Sequence, residues 1–205
     1  MLISRRGLIG SVAALAVTGT ARAPAALGPL GSLVTPKQDS DIVKAARRAL
    51  ATHGGAATQR DVVGVADFSP ASRDPRFHLV DMASGRVSSF LVAHGRGSDP
   101  DHCGWLKRFS NDPGSSATSD GVYLTAGEYP GKHGRSMRLK GLDPTNDNAE
   151  PRAVVMHGAW YVSPEMVAEH GKLGRSEGCF AFSEADLPRV LERLGPGRLI
   201  TAGKF

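Results

Sequence analysis

From residue 60 onward the chain is built of short apolar runs: Val62-Val63-Gly64-Val65, Phe77-His78-Leu79-Val80, Val87 to Ala93, Val122-Tyr123-Leu124, Met137-Arg138-Leu139 and Ala153 to Met156. Turn-forming stretches such as Ser69-Pro70, Ser84-Gly85 and Asp112-Pro113-Gly114 separate them, and the alternation of run and turn predicts strands. Two segments carry helical spacing instead. Asp39-Ser40-Asp41 can cap a helix in which Ile42, Val43, Ala46, Ala49 and Leu50 fall near one face, ended by His53-Gly54-Gly55. Ser183, with Asp186 three positions on, opens a second helix in the manner of a capping box; it carries Leu187, Val190, Leu191 and Leu194 and is stopped by Gly195-Pro196-Gly197. Both stripes read as packing faces. The expected fold is mainly β with a few short helices, and there is no internal repeat.

The N-terminal pattern is different. MLISRRGLIGSVAALAVTGTARA places Arg5 and Arg6 before an apolar stretch from Leu8 to Val17 and then small residues, the layout of an export signal that is too short in its apolar part to span a bilayer stably. Ser4-Arg5-Arg6-Gly7-Leu8-Ile9 resembles the twin-arginine type. Cleavage after Ala23 or Ala25 suits the small residues there. The expected organisation is therefore a signal at 1–25, a linker plus helix at 26–58 and one domain at 59–205, exported to the periplasm or cell envelope with no membrane span left after processing.

Removal of the signal changes the reading of charge. The full chain carries 25 basic and 20 acidic residues, a net +5; without Arg5, Arg6 and Arg22 it carries 22 against 20, about +2. Lys and Arg are scattered, which excludes a nucleic-acid footprint.

Candidate chemistry concentrates in GRSEGCF, residues 174–180. Gly174 to Gly178 match G-x-S-x-G, but a nucleophile elbow at Ser176 needs a buried strand before it, and an acid and a histidine after it. The preceding residues 168–174 are polar and glycine-broken, and no histidine follows His170. Cys179 is the better nucleophile, because a thiol needs only a nearby imidazole to become strongly nucleophilic. Gly178 lets backbone N–H groups at 178 and 179 approach a developing oxyanion. The competing reading makes Cys179-Phe180-Ala181-Phe182 a buried strand and nothing more. His157 ends the run Arg152 to His157 just before Gly158, where a strand meets a glycine turn, a place from which scaffolds present catalytic groups. The papain order is excluded, because no histidine follows Cys179. Two alternatives stay open: a single Cys103–Cys179 disulfide, usual for an exported chain, and a metal site from His94, His102 and Cys103, whose spacing fits no strong zinc pattern. We expect no metal and no organic cofactor.

His157-Gly158, 17 intervening residues and Ser176-Glu177-Gly178-Cys179 resemble the signature of the L,D-transpeptidase catalytic domain, and the likeness extends over about residues 60–200 through stretches such as VAHGRGS at 92–98 and LKGLDPTND at 139–147. The resemblance implies a β-sandwich with a small helical cover and a cysteine enzyme acting on peptidoglycan stem peptides. Cys179 would be the nucleophile, His157 the general base and then acid, and the Gly178 and Cys179 backbone the oxyanion hole. Ser176 and Arg175 would sit at the rim with Gly158 near them, and Tyr123 would wall the substrate groove. A 3–3 crosslink is the implied product, release to water (an L,D-carboxypeptidase) and a silent wall-binding module are the alternatives, and carbapenem-type inhibitors are the implied ligands. The chain departs from the pattern at Glu177, where many members carry a second histidine, and at Ala181, where many carry arginine or asparagine. The second departure leaves Arg175, Arg135 and Arg96 as candidates to hold the donor's carboxylate.

Overall fold

The computed structural model describes residues 36–205, with side chains from residue 41 onward. The expected export signal and the arm that follows it lie outside the described residues. No described helix is long and apolar enough to cross a membrane.

Helix α1 (Pro36–His53) is followed by strands β1 (Val62–Asp67), β2 (Phe77–Asp81), β3 (Val87–Phe90), β4 (Gly121–Gly131), β5 (Gly134–Gly141) and β6 (Val155–Gly158), helix α2 (Pro164–His170), strand β7 (Phe180–Phe182), helix α3 (Leu187–Leu194) and strand β8 (Leu199–Gly203). The mainly β expectation holds. All eight strands form one hydrogen-bonded sheet in the order β3-β2-β1-β8-β4-β5-β6-β7, and that sheet folds over on itself. Phe77 on β2 meets Phe182 on β7 edge to face with ring centroids 4.8 Å apart, although the two strands lie near opposite ends of the order. Beyond β3 the run that began at Val87 leaves its neighbour, and Ala93 instead bridges Ala181 of β7. The two layers enclose a core of aromatic and aliphatic side chains including Phe68, Phe77, Tyr123, Met156, Phe180, Phe182 and Leu191.

Strands β1, β2, β7 and β8 are buried almost end to end because both faces are covered. Along β1, Val62 and Ala66 point into the inter-layer core, while Val63 and Val65 point out against α1. The stripe Ile42, Ala45, Ala46 and Ala49 meets them, together with Val80 and Leu199, at the i, i+3, i+4, i+7 spacing of one helix face. This helix begins at Pro36, earlier than the Asp39-Ser40-Asp41 cap suggested, and proline suits a first turn because its missing N–H has no partner there. At the other helix only half of the expected box forms: the Asp186 N–H donates to Ser183 Oγ at 3.0 Å, but the Asp186 carboxylate accepts from the Ser183 hydroxyl at 2.9 Å rather than from its backbone N–H, and the helix starts one residue after Asp186.

Two elements were not legible in the hydrophobic runs. Strand β8 lies near the centre of the sheet, parallel to β1 and antiparallel to β4. Helix α2 is a surface helix of about two turns with no fully buried residue, held by the Ser163 cap, which accepts from the Met166 N–H, and by Gly171 in the left-handed conformation at φ 68°.

Candidate active site

Strands β6 and β7 run parallel with Met156 opposite Phe180 and His157 opposite Ala181. Side chains alternate between faces along a strand, so Met156, Phe180 and Phe182 enter the core while Val155, His157, Cys179 and Ala181 share the other face. That face opens on a cleft of about 680 Å³ lined by Cys179, His157, Ser136, Tyr129, Tyr161, Arg152 and Arg175 among others. The histidine and cysteine that the sequence put 22 residues apart are thus brought to one wall.

The imidazole is fixed by its own strand end. His157 Nδ1 lies 2.8 Å from the Gly158 carbonyl oxygen; a carbonyl only accepts, so Nδ1 carries the proton and Nε2 keeps its lone pair. His157 is buried, and His133 from the β4–β5 turn stacks on it with centroids 4.5 Å apart and planes 22° apart. Burial lowers its pKa, opposed by the Gly158 hydrogen bond and reinforced by Coulomb interaction with the neighbouring His133 and Lys132. Cys179 is half-buried and free, as is the exposed Cys103, so the disulfide alternative is not realised. The Cys179 thiol points to the Ala153 carbonyl at 3.7 Å. Burial raises its pKa, with Glu177 adding in the same sense, while a Val155 backbone hydrogen bond and the charges of Arg152 and Lys132 oppose it. The resting pair is a thiol and a neutral imidazole.

Ser176 is not among the residues that line this cleft. Its hydroxyl donates to the Cys179 carbonyl at 2.7 Å and accepts from the Gly178 N–H at 3.2 Å, so it ties the turn from a buried position. The same bond corrects the oxyanion expectation. The Gly178 N–H is occupied by Ser176, and only the Cys179 N–H is left without an acceptor among the described residues. Gly178 is required for a different reason. Its φ is 116°, and a Cβ there would come within 2.8 Å of the Ala117 carbonyl oxygen. Gly158 contributes its carbonyl to His157 and is itself buried.

Tyr123 is not a groove wall. It is fully buried, its hydroxyl donates to the Ser119 carbonyl at 2.7 Å, and its ring packs edge to face on Phe180 at 5.4 Å. Position 123 faces the core, and Tyr129 and Tyr161 line the cleft instead. Arg175 does line it, anchored by the carbonyls of Asp99 and Pro100. The remaining basic candidates are engaged elsewhere: Arg96 with Glu177 at 3.2 Å and Arg135 with Glu128 at 2.5 Å. Glu177 is largely exposed and turned to Arg96, which limits its effect on the thiol. Ala181 is fully buried against Ala93 and Leu173.

Three cleft residues carried no motif. Arg152 donates to the carbonyls of Ser110 and Ala117, bracing the wall beside Gly178, and Lys132 and His133 form the turn between β4 and β5. Ser116 and Ala153, which also line the cleft, are two of three described non-glycine residues with positive φ, both at 52°; such backbone costs about 1–3 kcal/mol and persists where the surroundings enforce it. At Ala153 it accompanies a carbonyl aimed at the thiol.

The His94, His102, Cys103 grouping does not form a metal centre. His94 accepts from Arg76 Nη2 at Nδ1, 2.7 Å, and faces Asp99 Oδ2 with Nε2 at 3.5 Å, while His102 Nε2–H donates to the Leu173 carbonyl at 3.0 Å. Among the described residues no three His, Cys, Asp or Glu side chains converge to hold an ion. His94 instead belongs to a buried strut: its carbonyl accepts from the Ser176 N–H at 2.9 Å.

A family model described as the L,D-transpeptidase catalytic domain matches residues 35–202. Similar solved structures include an L,D-transpeptidase from Mycobacterium smegmatis (16% identity, TM-score 0.41, covering 70% of this chain and 58% of that one) and one from Mycobacterium tuberculosis H37Rv (15%, 0.45, 70% and 58%). A third is L,D-transpeptidase 3 from Mycobacterium tuberculosis in complex with a faropenem-derived adduct (14%, 0.43, 70% and 60%). The chain thus spans less than two thirds of the length of these structures. No curated protein matches the chain. With the family match running through both strands of the cleft and nearly the whole described chain, this protein belongs to the L,D-transpeptidase catalytic domain family.

Proposed function

We propose that this protein is an exported peptidoglycan L,D-transpeptidase that works through Cys179. The observation that carries the reading is the shared cleft: a free thiol and an imidazole whose Nδ1–H is spent on Gly158, so that its Nε2 lone pair is available as a base. In the reaction His157 Nε2 takes the thiol proton as Cys179 Sγ bonds to the carbonyl carbon of the donor stem's third residue. The oxyanion forms beside the Cys179 N–H. Collapse breaks the bond to the terminal D-alanine, whose amine takes the proton from His157, and a thioester remains. An acceptor amine then attacks the thioester, gives its proton to His157 and releases the thiolate, which is reprotonated. Water in place of the amine turns the same acyl-enzyme into a carboxypeptidase product.

Mass spectrometry of purified tetrapeptide muropeptides after incubation with residues 26–205 tests this. Crosslinked dimers joined 3–3 are expected. Tripeptides alone would establish the carboxypeptidase, and unchanged muropeptides would leave a wall-binding module and overturn the enzyme reading.

A further inference from the structure

The turn that joins β4 to β5 consists of Lys132 and His133, with Gly134 at φ 78° supplying the left-handed residue that closes it. Between Thr125 and Glu128 the pairing shifts by one residue, a bulge of the kind that bends a strand and re-aims its far end. Beyond that bend Tyr129, Lys132, His133 and Ser136 all line the cleft that holds Cys179 and His157. Two contacts brace the bent part: the Arg135–Glu128 pair and the Arg138 guanidinium 4.1 Å over the Tyr129 ring. A third fixes the tip itself, since His133 stacks on His157.

The cleft is cationic. Lys132, Arg152 and Arg175 line it, against the single carboxylate of Glu177, which is paired with Arg96. The cations differ in what they have left to offer. Arg152 spends donors on the Ser110 and Ala117 carbonyls, and Arg175 on those of Asp99 and Pro100. Lys132 has no hydrogen-bond or ion-pair partner among the described residues, so its ammonium keeps all three donors. The position two residues after the cysteine holds only a buried alanine, Ala181.

Resting on the functional reading above, we propose that Lys132 is the subsite for a carboxylate of the donor peptide, held over the reacting groups by a hairpin tip that His133 seats on His157. Two carboxylates of a tetrapeptide donor flank the scissile bond, the side-chain terminus of its third residue, a diaminopimelate, and the C-terminus of the D-alanine that leaves. Either would meet an ammonium in the cleft that holds the base, so binding and the placement of the scissile carbonyl are coupled.

The test follows acyl-enzyme formation by intact mass, using the free tetrapeptide and two versions amidated singly at each carboxylate. In the parent, amidating the recognised carboxylate is expected to lower the acylation rate per unit donor about tenfold or more, the range for a hydrogen bond between charged groups. Lys132→Met should lower the rate with the free donor by a similar factor and abolish the sensitivity to that one amidation, while Lys132→Arg restores both and the unfolding midpoint stays within about 2 °C. The position whose amidation loses its effect identifies the carboxylate. Lys132→Met acylating at the parent rate, or remaining as sensitive to amidation at both positions, would overturn the subsite and leave the transpeptidase reading standing. A parent that forms no acyl-enzyme with any donor would overturn that reading itself, and the subsite with it.

Discussion

Burial moves the two groups proposed to react in opposite directions, the Cys179 thiol up and the His157 imidazole down. Both shifts favour the neutral forms, so the proton moves during attack and no preformed ion pair waits in the cleft. The acylation rate should therefore rise with pH through a value below the ordinary histidine pKa and stay level through neutrality, since His157 acts as base only when unprotonated. A rate still climbing well above pH 7 would contradict this. Ser176→Ala removes two hydrogen bonds from the turn and should lower stability by about 1–3 kcal/mol while leaving the nucleophile reactive, which a denaturation curve and an acylation assay read separately. That His157 and Cys179 share a cleft was legible because their spacing is local to one strand pair, whereas the capture of the Gly178 N–H by Ser176 was not. Tyr123 was misread because Val122-Tyr123-Leu124 reveals a strand but not which side faces the core, and Lys132, His133 and Arg152 reach the cleft through turns that leave no pattern in the chain.

The elements around the site are fitted by close backbone approach. Gly95 would place a Cβ 2.3 Å from the Ser116 carbonyl oxygen and 2.8 Å from Gly178 Cα, so the segment after β3 presses directly on the turn before β7. The His94-Gly95 pair, which repeats the His157-Gly158 dipeptide in the sequence, belongs to this strut. Gly95→Ala should cut acylation at least tenfold by displacing the turn, since small misplacements of reacting groups carry such costs; an unchanged rate would show that the contact yields. Helix α1 works at a distance from the cleft. Ile42 is 1% exposed against the outer face of the sheet, and Ile42→Ala should cost about 2–4 kcal/mol with the acylation rate of the folded protein unchanged. Its amphipathic stripe made α1 readable, whereas β8, a short run without alternation, takes its place only from the strands on either side, and α2 shows no apolar stripe because it buries no face.

On the scale of the whole molecule, two histidines are buried away from the reaction. His78 is fully buried with Nε2 unpartnered, and His94 lies between Arg76 and Asp99. Desolvation lowers His78 to about 4, and desolvation with the Arg76 charge lowers His94 to about 3. The unfolded chain binds both protons from about pH 6.5 downward and the folded chain does not, so stability is fully present above that value and lost as the pH falls toward the folded values. The thermal midpoint should fall steadily over that window, and a flat profile would contradict the burial. The mainly β architecture was legible as runs and turns, while the closure of one sheet into two layers depends on contacts between residues as distant as Phe77 and Phe182. Peptide mapping after treatment with faropenem or a carbapenem reads directly which atom becomes acylated. One adduct is expected, on the peptide containing Cys179, lost in Cys179→Ala and retained in Ser176→Ala; an unmodified parent protein, or an adduct that survives Cys179→Ala, would contradict the role of the Cys179 thiol.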